Sequence, residues 1–497
     1  MYGKYVFFLS FLSSLLYFFS VPWHSLQYAS FFSLIPFFIS IEKSKNFKGV
    51  LPVCLFFSLP LSALLSTPLF YAGLENYGKN FAFLLLAIVF LIIIPNVMLY
   101  CFYGILHHIL KSRFFYLNIL IPPSLWITID YLREIFDFFI PWYFIGYSQV
   151  GTPFIQIADI TGIYGVSFFV VFFNYSITLF FIQKKQFTIL KFLPLAILTS
   201  IILLYGTINV KDQKIKTSPN QNIEITGIQG NTDSLERWDK SRSYITYSKY
   251  LELTEKNYKG SGILIWPETV LNSSDRVNYE IIHKVNSIYN SDTIFITGGT
   301  RKDSGGSFNS VFISKNGSLS HIYDKKILFP YSERKFAGLS HGGVLGSTDT
   351  FIPGKKPGIF KNKQASPAAS VCFESLYPSY IRKSAKEGAD ILVNVANDSW
   401  FGNTYEPYMH LNSTIVRAIE NRRSMARVTN SGISALITPS GEIVSSLALN
   451  KEGAIRGTLT KRKDLTIYTR YGDIIIIISV LIILSAILLY LKNPVKK

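Results

Sequence analysis

Cysteine is nearly absent: 497 residues carry three, Cys54 and Cys101 inside apolar runs and Cys372 far from both. No CxxC or other paired spacing occurs, which leaves no basis for a disulfide framework or a zinc site. Charge is scarce as well. Only 16% of residues are charged against 49% hydrophobic and 15% aromatic, a balance that belongs to membrane chains. Acidic residues are the scarcer sign, 31 against 49 Lys and Arg, for a formal charge of +18. Such an excess could meet nucleic acid. Much of it, however, lies in short loops between apolar runs or at the chain ends, which suits membrane topology better than phosphate binding. No nucleic-acid partner is therefore expected. P-loop, GxGxxG, HExxH and GxSxG motifs are all missing, and no cofactor or metal is expected. His341-Gly342-Gly343, the nearest imitation of a glycine motif, reads as a flexible loop.

What is present is apolar sequence in lengths near the roughly 20 residues a helix needs to cross the hydrocarbon core. Spans are expected near 5–20, 27–41, 49–68, 82–104, 114–133, 162–182 and 188–206, with a last one at 473–491. The first lacks a small-residue cleavage site and is followed at once by more runs, so it reads as a retained helix. The basic loops at 42–48, 107–113 and 183–186 and the tail with Lys492, Lys496 and Lys497 fall on one side if the spans alternate. By the positive-inside rule that side is the cytoplasm, shared by the N-terminus through Lys4, and 207–472 lies on the opposite face. The expected organisation is a bundle of about seven spans at 1–206, an extracytoplasmic domain at 207–472, and a C-terminal helix with a basic tail at 473–497. His107-His108 reads as interfacial. Asp130 and Arg133, near a span end, could meet head groups, but a plain boundary marker is the preferred reading.

The 207–472 segment has globular composition. Asn222–Gly230 alternates apolar and polar residues, as a half-buried strand does. Ile263–Trp266 and Ile391–Val395 are continuous apolar runs, as covered central strands are. Pro407–Asn421 carries apolar residues at helical spacing with Pro in the first turn. Ile433–Thr438 leads through Pro439-Ser440-Gly441 into Glu442–Leu447, a hairpin pattern. Strands alternating with helices predict an α/β sandwich.

In such sheets the chemistry collects just past the carboxyl ends of strands. Three residues hold that kind of position: Glu268 after Ile263–Pro267, Lys325 beyond Phe308–Ile322, and Cys372 after Ala368–Val371. Taken singly, each has a plainer reading: a surface carboxylate, a solvated lysine, a small buried hydrophobe.

Together these windows resemble the nitrilase superfamily with its Glu-Lys-Cys triad, and within it the membrane-embedded apolipoprotein N-acyltransferase family. Ile265-Trp266-Pro267-Glu268 is similar to the family's glutamate motif, and Val371-Cys372-Phe373-Glu374 to its nucleophile turn. Tyr323-x-Lys325-x-x-Leu328-x-Pro330-x-x-Glu333 is similar to its lysine motif. Asn394–Gly402, Pro407, His410 and Arg417-Ala418-x-Glu420-Asn421 resemble the segment after the nucleophile. Pro141-Trp142, Gly146, Gly162–Phe168, Asn174, Gln229-Gly230-Asn231, Trp238 and Phe308-Asn309-Ser310 complete the likeness, which covers nearly the whole chain. Phe373 stands where many relatives have Tyr, and Tyr331-Ser332 where Phe-Gly is usual.

The resemblance implies a multi-helix transmembrane bundle plus an α/β nitrilase-like sandwich in an α-β-β-α arrangement, held in the inner membrane with the catalytic domain on the periplasmic side. It implies transfer of a fatty acyl chain from a phospholipid, through a Cys372 thioester, to the N-terminal amine of a diacylated apolipoprotein. Glu268 is expected to act as general base, and Lys325 with the Phe373 amide to hold the oxyanion. Glu333 would orient Lys325, with Glu374, Trp238 and Asn309 in supporting or substrate-binding positions. Phe329, Tyr331, Phe336 and Leu339 would either dip toward the bilayer or pack under the sheet. A monomer is expected. A membrane-anchored amidase using water as acceptor, and a non-catalytic lipid-handling protein, are the alternatives.

Overall fold

The computed structural model describes residues 2–492 except 22–23, 78–84, 87, 112–113, 137–139, 183–188, 216–220, 233–242, 272–274, 290–291, 317, 331 and 335–349. The chain divides into two compact units, one of residues 1–211 with 471–497 and the other of 212–470.

The first unit is helical. Four described stretches are long and apolar enough to cross a membrane: Phe47–Leu65, Pro153–Ile182, Leu193–Val210 and Ile474–Lys492. One other apolar run does not form the single helix expected of it, and a second carries a π-turn within its described helical part. The run at 27–41 breaks into a 3-10 turn His24–Ala29, a short helix Ser30–Ser33 and a helix Ile35–Lys43. Pro36 has no N–H to continue the ladder, and its ring opposes the carbonyl four residues back. The freed backbone groups are met from another helix: Asn174 Oδ1 accepts from Leu34 N at 2.9 Å, and its Nδ2 donates to Ser30 O at 2.8 Å. A break in an apolar bundle survives only when a neighbour satisfies it in this way. The run at 82–104 passes through a π-helical turn, Val89–Ile93, into Ile94–Ile109 with Pro95 in its first turn. Helix Phe115–Ile135 has 21 residues but carries Asp130, Arg133 and Glu134 near its end, all buried. Asp130 and Arg133 are therefore not boundary markers facing water; they form an ion pair of 2.6 Å inside the unit.

The second unit is built on strands β1 (Asn222–Gln229), β2 (Ile263–Leu271), β3 (Ile294–Asp303), β4 (Gly306–Lys315), β5 (Ser318–Asp324), β6 (Pro367–Val371), β7 (Ile391–Ala396), β8 (Ser424–Thr429), β9 (Ser434–Ile437), β10 (Ile443–Leu447) and β11 (Gly453–Thr460). One sheet runs β11-β1-β2-β3-β4-β5 and the other β10-β9-β8-β7-β6. The inner strands β1, β2 and β3 are parallel, as are β6, β7 and β8. Strand periodicity sorts the side chains. Ile263, Ile265, Ile294 and Ile296 face Val371, Val393, Val395 and Val428 of the other sheet in one core. Leu264, Trp266 and Phe295 point the other way, under Tyr247 and Tyr250 of helix Ser243–Asn257 and Ile282 and Val285 of helix Asp275–Ile288. Trp266 is fully buried and its indole donates to Thr254 Oγ1 at 2.9 Å. Burying such a ring stabilises by about 1.5–3 kcal/mol once its N–H is paired. The result is two sheets face to face with helices outside them.

Candidate active site

Two strand ends and one interrupted strand supply the principal side chains; Glu268, expected just past a strand, lies inside β2. Glu268 lies within β2 where its pairing with β3 is interrupted, between Trp266 and Leu271. The next residue, Thr269, has φ 57, an uncommon conformation for a β-branched residue, so the chain bends sharply behind the carboxylate. A glycine faces this bend of necessity: a Cβ on Gly298 of β3 would sit 2.6 Å from Glu268 Cα and 2.7 Å from Pro267 O. Lys325 directly follows β5, and Cys372 directly follows β6 at the head of a 3-10 turn, Cys372–Leu376. Cys372 has φ 47, which turns its side chain out of the strand line.

Glu268 and Lys325 are 6% and 2% exposed, so neither is a solvated surface residue. Lys325 Nζ lies 2.9 Å from Glu333 Oε1, 2.8 Å from Glu333 Oε2 and 3.6 Å from Glu268 Oε1. Burial alone would push this ammonium's pKa down, but Glu333, then Glu268 and Cys372, hold it well above the usual lysine value. Lys325 therefore stays charged. Glu333 is itself fixed by the Phe329 amide, 2.7 Å from Oε2. Asn309 Nδ2 donates to Glu268 Oε1 at 2.8 Å and to Glu333 Oε1 at 2.9 Å, joining both carboxylates.

Cys372 is half-buried and is the one free cysteine of the second unit. Burial raises its thiol well above the ordinary value, the Glu268 charge raises it further, and Lys325 opposes both. The resting group is thus a thiol that needs a base at the moment of attack. Glu374 ties the nucleophile turn to the lysine loop. Its Oε1 accepts from Tyr323 Oη at 2.6 Å, Lys326 N at 2.8 Å and Ile327 N at 3.0 Å, and its Oε2 from Val371 N at 2.8 Å. Burial still leaves this carboxyl above its usual pKa. The Phe373 ring is buried against Phe329 and Tyr377, with centroids 4.9 and 5.2 Å away. Trp238, Tyr331, Phe336, Leu339 and the His341-Gly342-Gly343 loop lie outside the described residues.

A second network, to which the sequence assigned no role, holds the nucleophile from behind. The Cys372 carbonyl accepts from Asn394 Nδ2 at 3.2 Å and faces His410 Nε2 at 3.0 Å. His410 Nδ1 is 3.0 Å from Asp398 Oδ1, and Arg427 Nη2 donates to Asp398 Oδ2 at 2.5 Å. Against burial, Arg427 and His410 hold the Asp398 carboxyl down to about 2. Burial, then Arg427, lowers the His410 pKa, while Asp398 and the carbonyl favour the charged ring. Cys372, Asp398 and His410 present ligand atoms within 4.8 Å of one another. Both Asp398 oxygens and both His410 nitrogens already have partners, so the trio fits a hydrogen-bond network better than a cation. The signal for it was Arg427, a charge inside the all-buried strand Ser424–Thr429, which must have an acid nearby.

Sequence comparison agrees with this architecture. The profile described as the apolipoprotein N-acyltransferase N-terminal domain matches residues 13–176, and the carbon-nitrogen hydrolase profile matches 225–465. An apolipoprotein N-acyltransferase of Rickettsia bellii is 30% identical over 379 residues, covering 72% of this chain and 73% of that one. The chain belongs to the apolipoprotein N-acyltransferase family. A family member from Chlorobaculum tepidum is 25% identical over 94% of this chain and 93% of its own. Nit3 of Saccharomyces cerevisiae, a solved nitrilase-superfamily structure, aligns with 57% of this chain and 98% of its own at 14% identity and a TM-score of 0.38. As a member of the family the chain is a multi-pass membrane acyltransferase with a nitrilase-type catalytic domain.

Proposed function

We propose that the 212–470 unit carries out acyl transfer in two steps at Cys372. Glu268 takes the proton from the thiol as sulfur attacks the ester carbonyl carbon of a phospholipid. The tetrahedral oxyanion is held by Lys325 and the Phe373 amide. The ester C–O bond then breaks, Glu268 returns the proton to the glycerol oxygen, and a lysophospholipid leaves an acyl thioester on Cys372. The N-terminal amine of a diacylglyceryl-cysteine lipoprotein attacks that thioester, Glu268 accepts an amine proton, and the released sulfur is reprotonated. The products are an amide and free enzyme. The observation that carries this reading is the Lys325 ammonium, buried and held charged between Glu268 and Glu333 within the field of the Cys372 sulfur. Such a fixed cation suits a developing negative oxygen.

The reading extends to location: the catalytic unit faces the periplasm, the termini face the cytoplasm, and the enzyme works as a monomer. The direct experiment incubates the purified full chain with phospholipid and a diacylated lipopeptide and weighs the peptide by mass spectrometry. A mass increase of one acyl chain is expected. Free fatty acid with an unmodified peptide would favour an amidase-like hydrolase instead.

A further inference from the structure

The Cys372 carbonyl lies behind the nucleophile and takes no part in the acyl-transfer chemistry, yet three donors converge on it. His410 Nε2 stands 3.0 Å from the oxygen, Asn394 Nδ2 3.2 Å, and Ser375 Oγ of the same turn 3.2 Å. A carbonyl oxygen has two lone pairs, so this one is saturated. Two of the donors come from other elements, Asn394 from β7 and His410 from helix Glu406–Asn421, and both are buried. Arg427 anchors the two together. Its Nη1 donates to Asn394 Oδ1 at 2.7 Å and its Nη2 to Asp398 Oδ2, while Asp398 Oδ1 faces His410 Nδ1 at 3.0 Å.

The protons on the His410 ring follow from its partners. Asp398 is ionised, its carboxyl held down to about 2, and the Cys372 carbonyl can only accept. A neutral imidazole would set a lone pair against one of these two oxygens. Burial and Arg427 work against a second ring proton. Asp398, the carbonyl and Glu406 Oε1, 3.8 Å from Nδ1, work for it. Contacts of 3.0 Å on both nitrogens are met only when both donate.

The oxygen they grip belongs to the peptide unit whose other end is the Phe373 N–H. That unit is planar and trans, so the N–H points away from the C=O. Fixing the oxygen from behind therefore aims the amide in front. Donors on the oxygen also polarise the unit and strengthen its N–H. We propose, resting on the acyl-transfer reading, that His410 and Asn394 are positioning residues for the Phe373 amide, which they aim and polarise toward the oxyanion of the tetrahedral intermediate. Neither side chain touches the substrate; each acts through the peptide unit.

The test uses the full-length protein in detergent and a pair of small reagents that consume the same thiol. With p-nitrophenyl acetate, the sulfur attacks the carbonyl carbon, an oxyanion forms, and nitrophenolate leaves as the thiol proton passes to Glu268. Iodoacetamide instead loses iodide by direct displacement, with no oxyanion. Peptide mass spectrometry separates adducts on Cys372 from those on Cys54 and Cys101. His410→Asn keeps an amide near Asp398 but is too short to reach the carbonyl. It should lower the acetylation rate at saturating ester about 100-fold, the worth of an oxyanion donor. Its half-saturating ester concentration and its iodoacetamide rate should stay within about twofold of wild type, since neither involves the oxyanion. His410→Gln, long enough to donate to the carbonyl, should recover acetylation to within about tenfold of wild type. Asn394→Ala should lose about tenfold in acetylation alone, and it carries the test if a His410 variant fails to fold.

Wild-type acetylation by folded His410→Asn or Asn394→Ala would overturn the proposal. So would equal losses in His410→Asn and His410→Gln, or a parallel fall with both reagents, which would make the residues mere scaffolding. A wild-type Cys372 that reacts with iodoacetamide and not with the ester would overturn it as well. Acetylation of wild-type Cys372 without acyl transfer from phospholipid would sink the proposed reaction alone and leave the role of His410 standing.

Discussion

Asn309 hydrogen-bonds the Glu268 carboxylate, its Nδ2 lying 2.8 Å from Oε1, and the same nitrogen reaches Glu333 Oε1 at 2.9 Å. One amide thus spaces the proposed base from the residue that orients Lys325. The backbone carbonyl of Asn309 also accepts from Lys325 N at 2.8 Å. The register of β4 against the lysine loop therefore sets all three charges.

Replacing Asn309 by Ala should lower kcat/KM for acyl transfer about 10- to 100-fold, the worth of a hydrogen bond to a buried charge. Asn309→Asp should be worse, because a third carboxylate would face two others. Equal activity of wild type and Asn309→Ala would remove the residue from the site.

Gly298 makes a different kind of contribution. The Cβ of Gly298→Ala would need the space held by Glu268 Cα and Pro267 O, at 2.6 and 2.7 Å. The expected cost is about 1–3 kcal/mol in stability, from overpacking. A shift of Glu268 by even 1 Å should cost about 100-fold in rate. Thermal unfolding and turnover of the same preparation check both; unchanged turnover in the folded variant would show that the bend does not position the base.

Asp398→Asn should destabilise by about 3–5 kcal/mol, because it leaves Arg427 buried without its counter-ion. The wild-type pair has a pH signature. Asp398 titrates near 2 in the folded chain against about 3.9 when unfolded, so its stabilisation is complete above about pH 4 and is lost as pH falls toward 2. Unfolding midpoints between pH 2 and 5 should fall with acid more steeply in wild type than in Asp398→Asn. Parallel curves would contradict the assignment.

The expected topology is open to a simple check. Reporter fusions near residue 210 and residue 495 should report opposite compartments, periplasm for the first and cytoplasm for the second. The same compartment at both positions would contradict the proposed orientation.

Much of the second unit could be read from its residues. Strand β1, strand β7, the β9–β10 hairpin and helix Glu406–Asn421 follow from alternation, apolar runs and proline placement. The windows around Glu268, Lys325 and Cys372 were legible through their joint resemblance to the nitrilase-superfamily motifs, since each residue alone has a plainer reading. The bend at Glu268 was legible only in part: Pro267 has no N–H to continue the pairing of Ile263–Leu271, and Gly298-Gly299 in the facing strand allow a close approach, but neither gives the direction of the turn. Asp398, His410 and Arg427 come together from three elements, and no spacing in one dimension announces that. In the membrane unit, apolar runs located helices but not their breaks. Whether a proline ends a helix depends on a partner such as Asn174, which lies 140 residues from Leu34.

The central claim is that one sulfur carries the acyl chain between two substrates. Wild-type enzyme and Cys372→Ala should be given phospholipid labelled in the acyl chain, with no acceptor peptide, and the protein analysed by intact mass. The account predicts one acyl group on wild type and none on Cys372→Ala. An equal amount of lysophospholipid should be released, and the acyl group should be lost to neutral hydroxylamine or to added diacylated lipopeptide. Unacylated wild-type enzyme, with lysophospholipid appearing only once both substrates are present, would contradict it even if the final amide were formed.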